Sequence, residues 1–578
     1  MCGIFGFTSS QKHKSSLVFD GLKSLEYRGY DSWGIVADTP EKLVDEKHLG
    51  KITSSPENIP ESTISIGHTR WATHGGITLA NCHPHFDCSH NIALVHNGIV
   101  ENHQQLRSQL QNQGHKFTTE TDTEVIVHLI EEYAKNNSFS DSVRLAFLDL
   151  QGLNAIAVIK HEDNQIIIAK NGSPLVIGFG QDCNYIASDM SALSGLTDKF
   201  IFLDDNQMAV ILPDSVNLFG LKEYQPIKFD IKTISSSQSD TSLNGHPNYL
   251  SKEIYQQPEI LAQIQTGNLT SSVDKIIEIA KTADKVFFTG CGSSYFAAYF
   301  NSLITSQKIN RPVFCFPASE FEPYDQFLTS KSLLVVFSQS GETIDVINLV
   351  NLVKNRGVAI ASVINTPYST LHRLADICQL LPCGPEKCVL STKTFTAEIA
   401  LFLKSLGEDL SPVINDINNI LQPEFTQKIT ALAKKLAKHD RIFVISRGNS
   451  LSIGHETALK IKEVSYVHAE SVSASELKHG PIALIENDTP CVVIAPNDKY
   501  LNDIISSATE IKARGGWIIG ISPQNNSIFD DYLPVKDSGI STSLAITVIS
   551  QFLAYQICQF KGFDPDKPRN LAKSVTVK

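Results

Sequence analysis

Apolar residues follow one rhythm up to about residue 230 and another beyond it. In the first part, short runs rich in Val, Ile and Phe are punctuated by Gly, Asn and Asp. These runs, NIALVH (91–96), NAIAVIK (154–160), QIIIAK (165–170), PLVIGFG (174–180) and FIFLDDNQMAVIL (200–212), predict strands. Residues 15–27, 102–113 and 122–135 place apolar side chains at helical spacing. This mixture predicts an α+β domain built around sheets rather than a regular β-α-β alternation. From about 248 onward, short strands of buried type alternate with longer helical stretches, as a parallel α/β sheet requires.

The polar, Ser-rich stretch KTISSSQSDTSLNG (232–245) separates the two textures and reads as a linker. The second half repeats itself. DKVFFTGCGSSYFAAY (284–299) parallels DRIFVISRGNSLSIGHETA (440–458), and SLLVVFSQSGETIDVINLV (332–350) parallels PCVVIAPNDKYLNDIISSA (490–508), each pair about 157 residues apart. A strand running through a Gly/Ser/Asn turn into a helix in both copies predicts two doubly wound subdomains, joined near 406–427. The expected domains are 1–231, a linker at 232–247, and two subdomains at 248–410 and 411–578.

Composition narrows the function classes. With 42% hydrophobic and 19% charged residues among 578, the chain is globular. A formal charge of −12 without long single-sign runs argues against nucleic-acid or basic membrane-surface binding and in favour of small-molecule chemistry. Eleven cysteines without a C-x-x-C pair argue against a disulfide framework or thiolate zinc site. No leader pattern opens the chain, and no uninterrupted apolar run approaches the ~18 residues of a membrane span, so a cytoplasmic location is expected.

Cys2 follows Met1 directly. Removal of Met1 would leave a thiol and an α-amino base on one residue, a self-contained nucleophile. Other segments supply partners for a substrate. Arg70 in HTRWATHG offers a bidentate grip for a carboxylate, Asp122 in TETDTEV a counter-ion for an ammonium, and Asn97 and Gly98 in HNGIVEN two oxyanion donors. A free amino acid with an amide side chain has all three handles. Each feature also has a local reading: a Thr121–Glu124 capping box with Asp122 in the first helical turn, and an Asn97–Gly98 turn. The seven histidines between 68 and 103 lack the spacing of a metal site, so no metal and no cofactor are expected.

The motifs MCGI, LEYRGYDS, HTRWATHG, NCHPH, HNGIVEN and TETDTEV, in this order, resemble the class II, N-terminal-nucleophile glutamine amidotransferase domain. The resemblance implies an αββα sandwich that hydrolyses glutamine through a γ-glutamyl thioester on Cys2. It further implies glutamine binding by Arg70, Trp71, Thr73, His74, Gly98 and Asp122, and an oxyanion hole of Asn97 and Gly98. Trp33 departs from the pattern, where a small residue is usual.

In the second half, TGCGSSY (289–295) and SQSGET (338–343) each carry a strand into a hydroxyl-rich turn before a helix, an arrangement suited to a phosphate. Neither a dinucleotide fingerprint nor an ATP P-loop occurs. Together with KEIYQQP, STKTF, ALKIKEVSYVHAE, ELKHGP and PRNLAKSVTV, they resemble the tandem sugar isomerase (SIS) domains of the isomerizing glutamine:fructose-6-phosphate amidotransferases. This second resemblance implies that His479 assists ring opening, Lys573 forms a Schiff base with the ketose, and Glu463 moves a proton with Lys460 nearby. Lys460 and Glu463, three apart, also read as a surface ion pair. Sugar and phosphate contacts are implied for Ser293, Ser294, Ser338, Gln339, Ser340, Thr343 and Ser391. Glu322, Lys387, Cys388 and Ser475 depart from the pattern.

Taken together, the resemblances imply glutamine-dependent synthesis of glucosamine 6-phosphate from fructose 6-phosphate. Ammonia would pass internally past a gate at Trp71, and the tail around 565–578 would lie over the sugar site of a homodimer. The alternatives are a class II glutaminase serving another sugar-phosphate acceptor, and a non-catalytic sugar-phosphate sensor.

Overall fold

The computed structural model describes residues 2–234 and 242–575. Most of the expected linker, residues 235–241, lies outside the described residues, as do Met1 and the end of the tail at 576–578. The chain divides into two compact units, Met1–Asp240 with Ser574–Lys578, and Thr241–Lys573.

The first unit is two antiparallel sheets between helices. One sheet runs in the order Lys232–Thr233, Lys199–Phe202, Val176–Phe179, Cys183–Ala187, Gly3–His13, Ser62–Arg70, Ser32–Asp38, Leu43–Leu49. The other runs Val216–Gly220, Gln207–Ile211, Asp163–Lys170, Asn154–Lys160, Ile92–Gly98, His85–Phe86. Because strand side chains alternate faces, Ile4, Ile64 and Ile66 meet Ala93, Val95 and Ala157 in a core between the sheets. Their sequence neighbours face outward: Phe5, Phe7 and Ile35 pack with Val18 and Leu22 of the helix Ser16–Leu25. Leu94, Ile156 and Ile167 pack under the helices His103–Asn112, Glu124–Ala134 and Phe139–Leu148. Burial on both faces is why these strands read as continuous apolar runs. The run 200–212 is not one strand: Asn206, at φ +63°, turns the chain between Lys199–Phe202 and Gln207–Ile211.

In the second unit the duplication is structural. The strand Lys285–Gly290 and helix Gly292–Ile309 recur as Arg441–Ser446 and Ser450–Ser465. Each copy forms a five-stranded parallel sheet with its first strand between the second and third: Phe314–Pro317, Lys285–Gly290, Ser332–Ser338, Ala359–Ile364, Ile377–Leu380, and His468–Ser473, Arg441–Ser446, Pro490–Ile494, Trp517–Ser522, Asp531–Pro534. The segment between the two copies is built of two helices, Ser411–Ile420 and Pro423–Leu436, whose Val413, Ile417, Ile429 and Leu432 enter a core shared by both copies. Crossing that core is Thr542–Phe560, whose stretch Gly539–Lys561 is long and apolar enough to cross a membrane, with mean hydropathy 1.3. Here 89% of that window is buried by protein, which is why it is apolar all round.

Candidate active sites

The first site forms where strand ends from both sheets converge. Cys2 immediately precedes the strand Gly3–His13, whose Gly3 pairs with Thr69, so the thiol lies beside the end of Ser62–Arg70. Trp71 N–H donates to Cys2 Sγ at 3.2 Å, and Arg28 Nε donates to the Cys2 carbonyl at 3.0 Å. Burial pushes the thiol pKa up, while the charge at the chain's amino terminus, the Trp71 N–H and the Arg70 and Arg28 charges oppose that rise. Cys2, Arg70, Trp71, Thr73, His74, Gly98 and Asp122 line one narrow cleft, so the structure brings the expected glutamine residues together.

Their hydrogen bonds distinguish their roles. Arg70 is committed in part to the cleft wall, donating to the carbonyls of His74 (2.5 Å), Gly75 (3.3 Å) and Gly76 (3.2 Å). Two of the five guanidinium N–H groups remain for a ligand. Asp122 is not a first-turn helix acid. The helix begins at Glu124 with no side-chain cap from Thr123, and Asp122 Oδ2 accepts the Val100 N–H at 2.7 Å. The expected capping box fails because Glu124 turns back to accept the backbone N–H groups of Thr118 and Thr119.

Asn97 is oriented by residues the sequence reading did not single out. His68 Nε2 lies 2.9 Å from the His96 carbonyl and 3.1 Å from Asn97 Oδ1, two acceptors, so this nitrogen carries the proton. Burial holds His68 down to about 3, and its ring is neutral. Asn97 Nδ2 therefore faces Ser188 Oγ (2.9 Å), with its second N–H left for an oxyanion. Gly98 follows at φ +145°, where an added Cβ would lie 2.3 Å from the Leu153 carbonyl, so only glycine presents its backbone here. His83, His96, Thr121 and Thr123 complete the cleft wall.

The second site lies in the second unit, at the carboxyl ends of the first copy's strands, where the strand order reverses and α/β sheets bind ligands. Ser293 and Ser294 open the helix Gly292–Ile309 after the first strand. Ser294 Oγ donates to Glu398 Oε1 at 2.9 Å, and Ser293 bonds the Glu456 carboxyl. Ser338 ends the strand Ser332–Ser338, with Gln339, Ser340 and Thr343 in the turn before the helix Ile344–Lys354. Ser338 Oγ lies 3.0 Å from Thr343 Oγ1 and accepts the Gly341 N–H at 3.1 Å. Gly341 sits at φ +66°, where a Cβ would meet Ser369 Oγ at 2.0 Å. Ser391 Oγ is 2.6 Å from Thr394 Oγ1.

Two buried ion pairs adjoin these hydroxyls. Lys573 Nζ donates to Glu386 Oε2 at 2.5 Å and to the Leu390 carbonyl at 3.3 Å. Burial pushes the Glu386 carboxyl up, but Lys573 and the N–H groups of Thr392 (2.9 Å) and Thr394 (3.2 Å) pull harder, and it stays below its ordinary value. Lys460 Nζ meets Glu463 Oε2 at 2.6 Å and Glu456 Oε1 at 3.4 Å, and Glu386 also acts on its charge. Lys460 is only 1% exposed and Glu463 partly buried, so their spacing does not mark a surface pair. Burial disfavours its charge, yet Glu456 and Glu463 together raise its pKa. Beside them Glu253, also buried and near Glu386, is pushed up to about 8.

His479 is not brought into this cluster. It ends the short turn Leu477–His479 with its side chain exposed and makes no side-chain hydrogen bond among the described residues. The departures are accommodated. Trp33 is buried and stacks on His48 at 4.3 Å, and the Cys388 N–H donates to Glu253 Oε1 at 3.2 Å.

Comparisons with known proteins agree with this division. A family model described as a SIS domain matches residues 279–404 and 435–533, and one described as a glutamine amidotransferase domain matches residues 77–195. Over the full length of both chains, the sequence is 37% identical to the glutamine–fructose-6-phosphate aminotransferase [isomerizing] of Pyrococcus horikoshii. It is 37% identical to that of Thermococcus kodakarensis and 34% to that of Fusobacterium nucleatum, again over both full lengths. Among solved structures, the C-terminal domain of glucosamine-fructose-6-phosphate aminotransferase from Francisella tularensis covers 56% of this chain and 100% of its own. It is 28% identical, with a TM-score of 0.51. The tagatose-6-phosphate ketose/aldose isomerase from Escherichia coli, 17% identical over 57% of this chain and 96% of its own, shares the fold at a TM-score of 0.51.

Proposed function

We infer the function from one premise: the chain belongs to the isomerizing glutamine–fructose-6-phosphate aminotransferase family. It is an enzyme that converts L-glutamine and D-fructose 6-phosphate into L-glutamate and D-glucosamine 6-phosphate. The observation that carries the reading is that one chain holds both halves of this chemistry: a cysteine in a cleft with Arg70 and Asp122, and buried lysine–carboxylate pairs beside phosphate-type turns.

In the first site, Cys2 attacks the side-chain amide, and Asn97 Nδ2 with the Gly98 N–H receives the charge on the tetrahedral oxygen. Arg70 and Asp122 hold the α-carboxylate and α-ammonium, whose fixed positions define which amide reaches the sulfur. A thioester forms as ammonia leaves, and water then releases glutamate. Free ammonia in water at neutral pH is protonated and unreactive, so the account has it pass inside the enzyme, shielded from solvent.

In the second site, the turns at 293–294 and 338–343 hold the phosphate. Lys573 Nζ condenses with the ketone of the open sugar when no ammonia is supplied, and Glu386 positions that amine. Glu463 moves the proton between C1 and C2, with Lys460 Nζ 2.6 Å from its carboxylate. His479 stands outside this cluster on its exposed turn, and its part in ring opening rests on the family resemblance alone. The same reading includes a homodimer located in the cytoplasm, acting on neither nucleic acid nor membrane. Borohydride added to enzyme and radiolabelled fructose 6-phosphate should fix label to the wild-type chain and leave Lys573→Ala unlabelled; equal labelling of the variant would assign the imine to another amine.

A further inference from the structure

Away from the glutamine residues, the first unit gathers four further potential metal ligands. Cys88 stands in the turn between His85–Phe86 and Ile92–Gly98, held by Asp87, whose Oδ1 accepts the N–H groups of Asn91 and Ile92 at 2.7 Å each. His115 lies in the loop after the helix His103–Asn112, and His128 and Glu131 share one face of Glu124–Ala134. One donor atom from each residue lies within 4.8 Å of every other. Cys88 Sγ is 3.8 Å from His115 Nδ1 and 3.7 Å from His128 Nδ1. Glu131 Oε2 is 2.9 Å from His115 Nδ1 and 3.0 Å from His128 Nδ1.

These separations suit a tetrahedral ion. Zinc bonds of ~2.3 Å to sulfur and ~2.0 Å to nitrogen set tetrahedral ligands about 3.5 Å apart, near both sulfur–nitrogen distances. The two nitrogen–oxygen distances need to open by a few tenths of an ångström. His115 faces Glu131 through Nδ1 and Glu132 through Nε2 at 2.8 Å. His128, 1% exposed, faces Glu131 through Nδ1 and Glu124 Oε1 through Nε2 at 3.8 Å. With the Nδ1 atoms on a cation, the His115 Nε2–H donates to Glu132, the outer arrangement that orients metal-binding histidines, while the His128 Nε2–H has Glu124 as its nearest carboxylate, beyond hydrogen-bond distance.

We propose that Cys88, His115, His128 and Glu131 bind one zinc ion with no position left open for substrate. Thiolate, imidazole and carboxylate in a closed set of four select zinc over harder cations and give it a structural role. The ion ties together the turn before the strand bearing Asn97 and Gly98, the 115 loop, and the helix that follows Asp122. Binding releases the Cys88 proton to solvent and involves no redox change. The histidines of 68–103 hold no metal spacing, and both histidines of this cluster lie beyond that range, at spacings that match no fixed motif.

The test is metal analysis of the full-length chain, expressed without a metal-binding tag in zinc-supplemented medium, followed by chelation and titration with Co²⁺. The expected result is about one zinc per chain and a cobalt–thiolate charge-transfer band on reloading. Both are lost in Cys88→Ala, whose exposed turn permits folding, to be confirmed by circular dichroism. Glu132→Gln should keep the ion but bind it about 10–100-fold more weakly. Zinc below about a tenth of an equivalent in wild type with no cobalt–thiolate band would overturn the proposal. Undiminished zinc in Cys88→Ala would also overturn it, by placing the ion elsewhere.

Discussion

Cys2 takes its setting from both near and far along the chain. The thiol is raised by burial, and what works against that rise is first the charge at the chain's amino terminus, then the Trp71 N–H and the Arg70 and Arg28 charges, from residues 26 to 69 positions away. Cys2→Ala should lower glutamine-dependent synthesis at least about a thousandfold while sugar-dependent trapping on Lys573 continues. Surviving synthesis in a glutamine assay would remove the nucleophile assignment. Glu456 supports a prediction about pH. Burial and the nearby Glu463 raise its carboxyl to about 7 against an ordinary 4.5, even with Lys460 pulling it down. The folded state therefore holds this proton more tightly than the unfolded chain. The stability it contributes is complete below about pH 4.5 and is lost as pH rises through about 7. Glu456→Gln keeps the neutral form at every pH, so its melting temperature should fall less than wild type's between about pH 5 and about pH 8. Parallel curves would show that Glu456 does not carry that titration.

Elements were legible in the sequence where burial was two-sided. NAIAVIK became the strand Asn154–Lys160, and the helical spacing of 122–135 became Glu124–Ala134, because the same apolar side chains that set the pattern fill the cores on either side. A short polar turn interrupts one apolar run, at Asn206, and the segment joining the two copies is helical although its composition is polar. The helix Ser411–Ile420 is polar on one face only, and Val413 and Ile417 on the other are fully buried. The helix Thr542–Phe560 gives the sharpest test at this scale. Leu553 is fully buried in the core shared by both sheets, so Leu553→Ala should cost about 2–5 kcal/mol of unfolding free energy in urea. A loss within error would mean that the helix contributes little to that core.

At the scale of the molecule, the site residues legible in the sequence were those inside compact motifs: Cys2, Arg70, Asn97 and Asp122 in one unit, Lys460, Glu463 and Lys573 in the other. Their partners were not legible, because nothing local marks them. Glu386 meets Lys573 across 187 residues, Ser188 meets Asn97 across 91, and Glu398 meets Ser294 across 104. Only the closed sheets and the shared core bring such pairs into register. The two units each hold half of one reaction, and the central claim is that the halves are coupled. Purified enzyme should be incubated with glutamine and fructose 6-phosphate, together and separately, and glutamate and glucosamine 6-phosphate quantified in each mixture. Glucosamine 6-phosphate should appear only when both substrates are present, in equal amount to glutamate. Glutamate accumulating without glucosamine 6-phosphate would rule out that coupling.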